Sequence, residues 1–153
     1  MIVYQAANPF INSMPMVVTV PNSTSDVTER YAVLRVLVVE DEELIRWTLA
    51  KALRKRGHTV VEAGDGESGL TALSLGDNPF DVVVLDYRLP DRQDLTLLED
   101  IKRLSPKSAV FMMTAFGDRE MRARAAACGA LAVVDKPFRV AEFVSLLESA
   151  AQP

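Results

Sequence analysis

The chain of 153 residues contains one cysteine, one histidine and one tryptophan. A single cysteine, Cys128, excludes an intrachain disulfide, and neither a zinc cluster nor a redox pair can be assembled around it. Positive charge is also scarce: 17 Lys and Arg stand against 21 Asp and Glu, a net charge of -4, with an isoelectric point near 5.0. That balance argues against broad binding to phosphate backbones, so no direct nucleic-acid binding by this chain is expected. No window holds the 18 or more apolar residues of a membrane span. The first basic residue is Arg30, so the amino terminus lacks the basic region of a signal peptide. A cytoplasmic protein with no membrane contact is the expectation. What the chain does have is 49% hydrophobic, 25% charged and 7% aromatic residues, the composition of one ordinary soluble domain. At this length a single core buries roughly 68–70% of the unfolded surface without covalent staples.

Composition changes near residue 30. The leader carries Pro9, Pro15, Pro21, Asn8, Asn12 and Asn22, almost no charge and no sustained period, which reads as a flexible tail over residues 1–32. Its run at residues 16–20 has the character of an edge strand or of a segment packed on the domain, but a mobile tail is the blander reading. From Leu34 onward short valine-rich runs alternate with longer stretches of helical period. The runs are residues 35–39, 58–63, 82–85, 109–113 and 130–134. All but the second are continuously apolar, as strands covered on both faces should be.

Between the runs lie five helical stripes. Leu44, Ile45, Leu49, Ala52 and Leu53 form the first, closed by Gly57 in a position that helix ends favour. Leu70 and Leu73 with Gly76 repeat the device. Leu95, Leu98, Ile101 and Leu104 stop at Ser105-Pro106, because the residue before a proline avoids the helical region. Met121, Ala125 and Cys128 precede Gly129, and Val140, Phe143, Val144 and Leu147 complete the set. Strand-helix alternation implies parallel strands with right-handed crossovers, an open α/β sheet with helices on both faces. A domain over residues 33–150 results, with residues 151–153 as its end.

In such sheets ligands bind beyond the carboxyl ends of the strands. Here the first run leads into Glu40-Asp41-Glu42, the third into Asp86, the fourth into Thr114-Ala115 and the fifth into Asp135-Lys136-Pro137. If strands one, three, four and five are neighbours, one pocket receives acids, a hydroxyl and a lysine. Carboxylates forced together repel unless a cation neutralises them, and oxygen-only ligands suit Mg²⁺. An aspartate beside Mg²⁺, with a lysine and a hydroxyl nearby, is a competent phosphoryl acceptor, since positioning and charge neutralisation supply most of that catalysis. Singly, each group has a plainer role: the acids as a solvated first helical turn, Lys136 as a surface lysine, Thr114 as a strand residue.

The strings Val36-Leu37-Val38-Val39-Glu40-Asp41-Glu42, Val84-Leu85-Asp86-Tyr87-Arg88-Leu89-Pro90, Met113-Thr114-Ala115 and Asp135-Lys136-Pro137-Phe138 together resemble the receiver domain of two-component response regulators over about residues 34–150. Leu44-Ile45-Arg46-Trp47 and Thr114-Ala115-Phe116-Gly117-Asp118 look most like receivers of nitrogen-regulation-type activators. The resemblance implies a flavodoxin-like (βα)5 doubly wound five-stranded parallel sheet of order 2-1-3-4-5. It implies Asp86 as phosphoacceptor, attacking the phosphohistidine of a sensor histidine kinase or phosphotransfer protein, or a small acyl phosphate. Asp41 would bind Mg²⁺ directly and Glu40 through water, with Asp86 and the Arg88 backbone carbonyl completing the protein ligands. Lys136 would pair with the phosphoryl oxygens and Thr114 would swing toward them. The Lys136-Pro137 bond would be cis, which proline permits at low energy. By this reading the chain is no enzyme beyond its own Mg²⁺-dependent phosphorylation and dephosphorylation, and a homodimer through the fourth and fifth helices is a possible output.

Two positions depart from the family pattern. An aromatic residue normally stands three positions before the lysine and couples phosphorylation to the output face; here it is Val133. The switch then runs through Thr114 and the backbone alone, or through another side chain such as Phe138. The turn after the phosphoacceptor commonly holds glycine, where this chain has Asp94, and Asp91 or Asp94 is a candidate cap for the following helix. Arg88 and Phe116, two residues beyond Asp86 and Thr114, lack the carboxylate or amide that would orient a hydrolytic water, so slow self-hydrolysis is expected.

Other notable residues have structural readings. His58 is expected as partly exposed packing, Cys128 as a small core residue and Trp47 as helix-surface packing. Arg119, Arg122 and Arg124 read as a solvated face, with pairing to acids such as Glu142 of a second copy as the alternative. A receiver-like interaction module working without phosphorylation competes with the phosphorylated receiver, on the strength of Val133. A haloacid-dehalogenase-type phosphatase wants a second aspartate where Arg88 stands, and a flavin carrier wants a hydroxyl-rich loop where Glu40-Asp41-Glu42 stands. Both are rejected. The sequence ends at Pro153, leaving a single-domain regulator and the receiver of a longer activator equally open.

Overall fold

The computed structural model describes residues 32–151. The tail expected over residues 1–32, but for Ala32, and the candidate edge strand within it lie outside those residues. Five strands, Arg35–Val39 (β1), Thr59–Ala63 (β2), Val82–Asp86 (β3), Ala109–Thr114 (β4) and Ala132–Asp135 (β5), alternate with helices Glu43–Lys55 (α1), Gly66–Leu75 (α2), Thr96–Leu104 (α3), Arg119–Ala127 (α4) and Val140–Ala150 (α5). All strands are parallel, in the order β2-β1-β3-β4-β5, as the family resemblance implied.

Alternation along each strand divides the core into two layers. Val36, Val38, Val82, Val84, Phe111 and Met113 face α1 and α5, where Leu49, Leu53, Phe143 and Leu147 are buried with them. Leu37, Val39, Val83, Leu85, Val110 and Met112 face the other way and pack with Leu98 and Ile101 of α3 and Met121 and Ala125 of α4. Strands β1, β3 and β4 are therefore covered on both faces, which explains their unbroken apolar character.

Two helix ends explain why β2 and β5 start later than the apolar runs that mark them. Gly57 follows α1 with φ +93° and Gly129 follows α4 with φ +101°, the left-handed region that glycine enters without a Cβ penalty. After each glycine the next amide turns back onto its helix: His58 N–H donates to Leu53 O at 3.2 Å and Ala130 N–H to Ala125 O at 3.0 Å. Those amides close helices, so pairing begins at Thr59 and Ala132. Gly76 does not share this geometry, because it ends α2 in extended backbone at φ -84°, ψ 125°. The apolar stripes also overreach at their ends: Leu44 at the start of α1 and Leu104 at the end of α3 are 73% and 50% exposed.

Asp91 caps a helix, though not the one that follows it. Its two carboxylate oxygens accept from Gly66 N–H and Glu67 N–H, both at 2.9 Å, at the start of α2, where Asp65 also accepts from Ser68 N–H at 2.7 Å. Asp94 accepts from Thr96 N–H at 3.0 Å and so serves the first turn of α3.

Candidate functional site

Neighbouring strands in the order 1-3-4-5 deliver their terminal residues to one edge. Glu40 N–H still donates to Ala63 O at 3.0 Å, so the β1 ladder continues one residue past the strand and holds Glu40 fully buried, while Asp41 is exposed. Carboxylate oxygens of Glu40, Asp41 and Asp86 lie within 4.8 Å of one another. Asp86, at the end of β3, and Thr114, at the end of β4, are both buried. Lys136 follows β5. Its Nζ lies 2.7 Å from Glu40 Oε2 and 3.2 Å from Asp86 Oδ1, and its backbone N–H donates to Thr114 O at 2.8 Å. The Lys136-Pro137 peptide is cis. Thr114 Oγ1 accepts from Phe116 N–H at 3.3 Å.

Burial raises the Asp86 carboxyl above its ordinary range, against the opposing pull of Lys136 and of the Arg88 backbone N–H, and the charge of Asp41 adds to the rise. Glu40 is raised for the same first reason, with the Lys136 hydrogen bond opposing and Asp86 adding to it. For Lys136 burial acts to lower the value, but the bond to Glu40 and the charges of Asp86 and Glu40 outweigh it, and the ammonium is stabilised. Glu40 and Asp86 thus share one lysine, with the Asp41 carboxylate in the same cluster. An all-oxygen donor set with a deficit of positive charge fits a hard divalent cation such as Mg²⁺. Beside it, a cleft of about 490 Å³ is lined by Ile45, Leu49, Ala115, Pro137 and Phe138.

All the side chains singled out for phosphoryl chemistry, Asp86, Lys136, Thr114, Glu40 and Asp41, therefore stand at this edge, and Arg88 lies two residues beyond Asp86. Two arginines brace backbone around this edge without pairing with its clustered carboxylates. Arg46 Nη1 donates to Glu40 O at 2.7 Å and its Nε lies 3.7 Å from Glu62 Oε2, so α1 and β2 together fix the backbone that carries the acids. From the sequence Arg122 reads as part of a solvated face. Instead it donates to Gly117 O and Val133 O, each at 3.1 Å, and pairs with Asp135. Its residue type and helical position give no sign of this.

Other expectations divide. His58 is buried, not partly exposed: Nδ1 accepts from Leu34 N–H at 3.2 Å and Nε2 lies 2.9 Å from Glu148 Oε1. Cys128 is half-buried against the α3 and α4 layer, with its thiol 3.5 Å from Glu99 and raised by burial. Trp47 is half exposed under the Lys51 ammonium, 4.6 Å from its ring centre. Phe138 packs on Phe143 with tilted rings, their centres 4.8 Å apart, on the α1 and α5 face, whereas Val133 packs on the opposite face, so Phe138 does not occupy the space an aromatic at 133 would fill.

A family model described as "Response regulator receiver domain" matches residues 36–148. The chain belongs to this family. Among curated relatives, transcriptional regulatory protein PdtaR of Mycobacterium tuberculosis is 37% identical over 119 residues, covering 76% of this chain and 56% of that protein. DNA-binding transcriptional regulator NtrC of Escherichia coli is 38% identical over 115 residues, covering 75% of this chain and 24% of NtrC. The chain thus spans about half of PdtaR and about a quarter of NtrC. The solved receiver domain of non-phosphorylated HemR from Leptospira biflexa is 33% identical with a TM-score of 0.70, covering 78% of this chain and 95% of that one. Receiver domains are signalling modules that bind Mg²⁺ at an acidic pocket and interact with histidine kinases or phosphotransfer proteins, and among the described residues no helix is long and apolar enough to cross a membrane.

Proposed function

We propose that residues 33–150 form a phosphoacceptor receiver of a two-component response regulator, in which Asp86 takes a phosphoryl group from a cytoplasmic sensor histidine kinase or phosphotransfer protein. The observation that carries this reading is Lys136 bridging Glu40 and Asp86 within a cluster of three carboxylates. A carboxylate oxygen of Asp86 attacks phosphorus, the bond from phosphorus to the donor imidazole nitrogen breaks, and that nitrogen takes a proton from solvent. The product is an aspartyl acyl phosphate.

Asp41, Asp86 and the Arg88 backbone carbonyl, with Glu40 behind them, are the groups that would hold Mg²⁺. When bound, the ion neutralises charge on the carboxylates and the phosphoryl oxygens. Lys136, 3.2 Å from Asp86 Oδ1, supplies a second, fixed positive charge. Thr114 holds a hydroxyl whose oxygen already accepts from Phe116 N–H, which leaves its proton available to a phosphoryl oxygen. The resulting change is relayed as conformation. A second copy docking on α4 and α5 fits as an output, with exposed Arg119 and Arg124 as its charges, since Arg122 is already engaged.

Incubation with acetyl phosphate and Mg²⁺, followed by intact mass, tests this. One added phosphoryl group that requires Mg²⁺ is the expected result. Failure of both acetyl phosphate and a cognate kinase to modify the chain would favour the second reading, an interaction module working without phosphorylation, for which Val133 in place of the usual aromatic is the supporting observation.

A further inference from the structure

Arg122 closes a ring of contacts around the end of β4. Its Nε donates to Gly117 O and its Nη1 to Val133 O, each at 3.1 Å, and its Nη2 pairs with the Asp135 carboxylate. Asp135 is in turn the register partner of Thr114 across β4 and β5. The ring is completed at Gly117, where a Cβ would stand 2.9 Å from Thr114 Cγ2 and 3.1 Å from Arg122 Nη2. Only a residue without a side chain lets the Thr114 methyl and the guanidinium approach this closely. The planar fork of arginine matches three acceptors held in fixed directions, which an ammonium on a flexible stem does not.

We propose that Arg122 is a positioning residue that holds the loop from Thr114 to Gly117 and carries its movement to the carboxyl end of β5. This rests on the reading of Asp86 as phosphoacceptor. Rotation of Thr114 toward a phosphoryl group on Asp86 withdraws its methyl from Gly117, and the Gly117 carbonyl shifts. Arg122 then trades this loop contact against those to Val133 and Asp135, so α4 and β5 respond together. No bulky side chain at residue 133 is needed, because the guanidinium already joins the loop to that strand.

The test uses the full chain with beryllofluoride and Mg²⁺ as the phosphoryl mimic and amide hydrogen exchange as readout. In the wild type, protection is expected to change both in residues 117–123 and in residues 132–135. Arg122→Ala is expected to accept phosphoryl groups from acetyl phosphate within about twofold of the wild-type rate, yet to lose the response at residues 132–135. Arg122→Lys keeps the charge without the fork and is expected to stay uncoupled. Gly117→Ala disturbs the ring from the loop side and is expected to alter resting protection at residues 132–135 before any mimic is added. A wild-type response in Arg122→Ala, full rescue by lysine, or unchanged resting protection in Gly117→Ala overturns the proposal while leaving the phosphoacceptor reading intact. Absence of Mg²⁺-dependent phosphorylation in the wild type overturns both.

Discussion

Lys136 Nζ stands 2.7 Å from Glu40 Oε2, inside the carboxylate cluster that the fold itself assembles from the ends of β1 and β3. The lysine therefore serves as the built-in counter-ion of the acids, and a divalent cation entering the cluster competes with it. Lys136→Met removes the ammonium that pairs with both Glu40 and Asp86. The variant is expected to unfold earlier than wild type without Mg²⁺ and to gain more from it, by about 1 kcal/mol or more of extra stabilisation at saturating ion. Thermal melts across an Mg²⁺ titration measure this, and an equal gain in both proteins would count against the competition.

Asp86 carries a cost that the folded chain bears for its site. Burial raises its carboxyl above the ordinary value of 3.8, so folding takes up a proton in the acid range. The cost is fully present above the folded value and fades as pH falls toward and below the unfolded one. Asp86→Asn is accordingly expected to melt higher than wild type at neutral pH without Mg²⁺. An advantage of about 1 kcal/mol corresponds to a rise of roughly 2–8 °C, shrinking on acidification. A melt lower than wild type at pH 7 would contradict this account of the site.

At the opposite end of the sheet Glu148 behaves in the other direction. Burial alone would raise it, but the hydrogen bonds from Arg56 and His58 outweigh burial and hold it below its ordinary 4.5. Leu34 N–H donates to His58 Nδ1, and the ring turns its Nε2 to Glu148 Oε1 at 2.9 Å. The contribution of Glu148 to stability is therefore complete above the unfolded carboxylate value and is lost as pH falls through the lower folded one. Glu148→Gln is expected to cost about 2 kcal/mol at neutral pH, less than a fully enclosed pair because Arg56 is half exposed. Its urea midpoint should also depend less on pH below about 4.5 than that of the wild type. A variant with the wild-type acid profile would remove Glu148 from this role.

Much of the site was legible because each strand ends in a residue whose type conflicts with its apolar run. Asp86 after Val84-Leu85 and Thr114 after Met112-Met113 are examples, and parallel topology converts those sequence positions into neighbours. Arg122 and the pair His58 with Glu148 were not legible. Their partners are fixed by tertiary geometry, 90 residues apart for the pair, and neither belongs to a periodic pattern. Strands β2 and β5 start one and two residues after their apolar runs begin for a local reason, since apolarity does not reveal that His58 and Ala130 spend their amides on the preceding helix.

Phe116 is 81% exposed beside Thr114, and Arg88 stands two residues beyond Asp86; neither orients a water for attack on phosphorus. A phosphorylated chain is expected to lose its phosphoryl group slowly, over minutes or longer. Phe116→Asn, which offers an amide in the same place, is expected to hasten loss about tenfold, equivalent to roughly 1.4 kcal/mol of barrier. Decay followed by intact mass decides it, and a wild-type half-life of seconds would refute the expectation.

The central claim is that the acyl phosphate forms on Asp86. Borohydride reduction of the chain after treatment with acetyl phosphate and Mg²⁺ converts a phosphorylated aspartate to homoserine, and peptide mass spectrometry locates the change. The account predicts homoserine at residue 86, absent without Mg²⁺ and absent in Asp86→Asn. Homoserine at Asp41 or another aspartate, the corresponding alcohol at a glutamate, or no reduced residue after Mg²⁺-dependent treatment would contradict it.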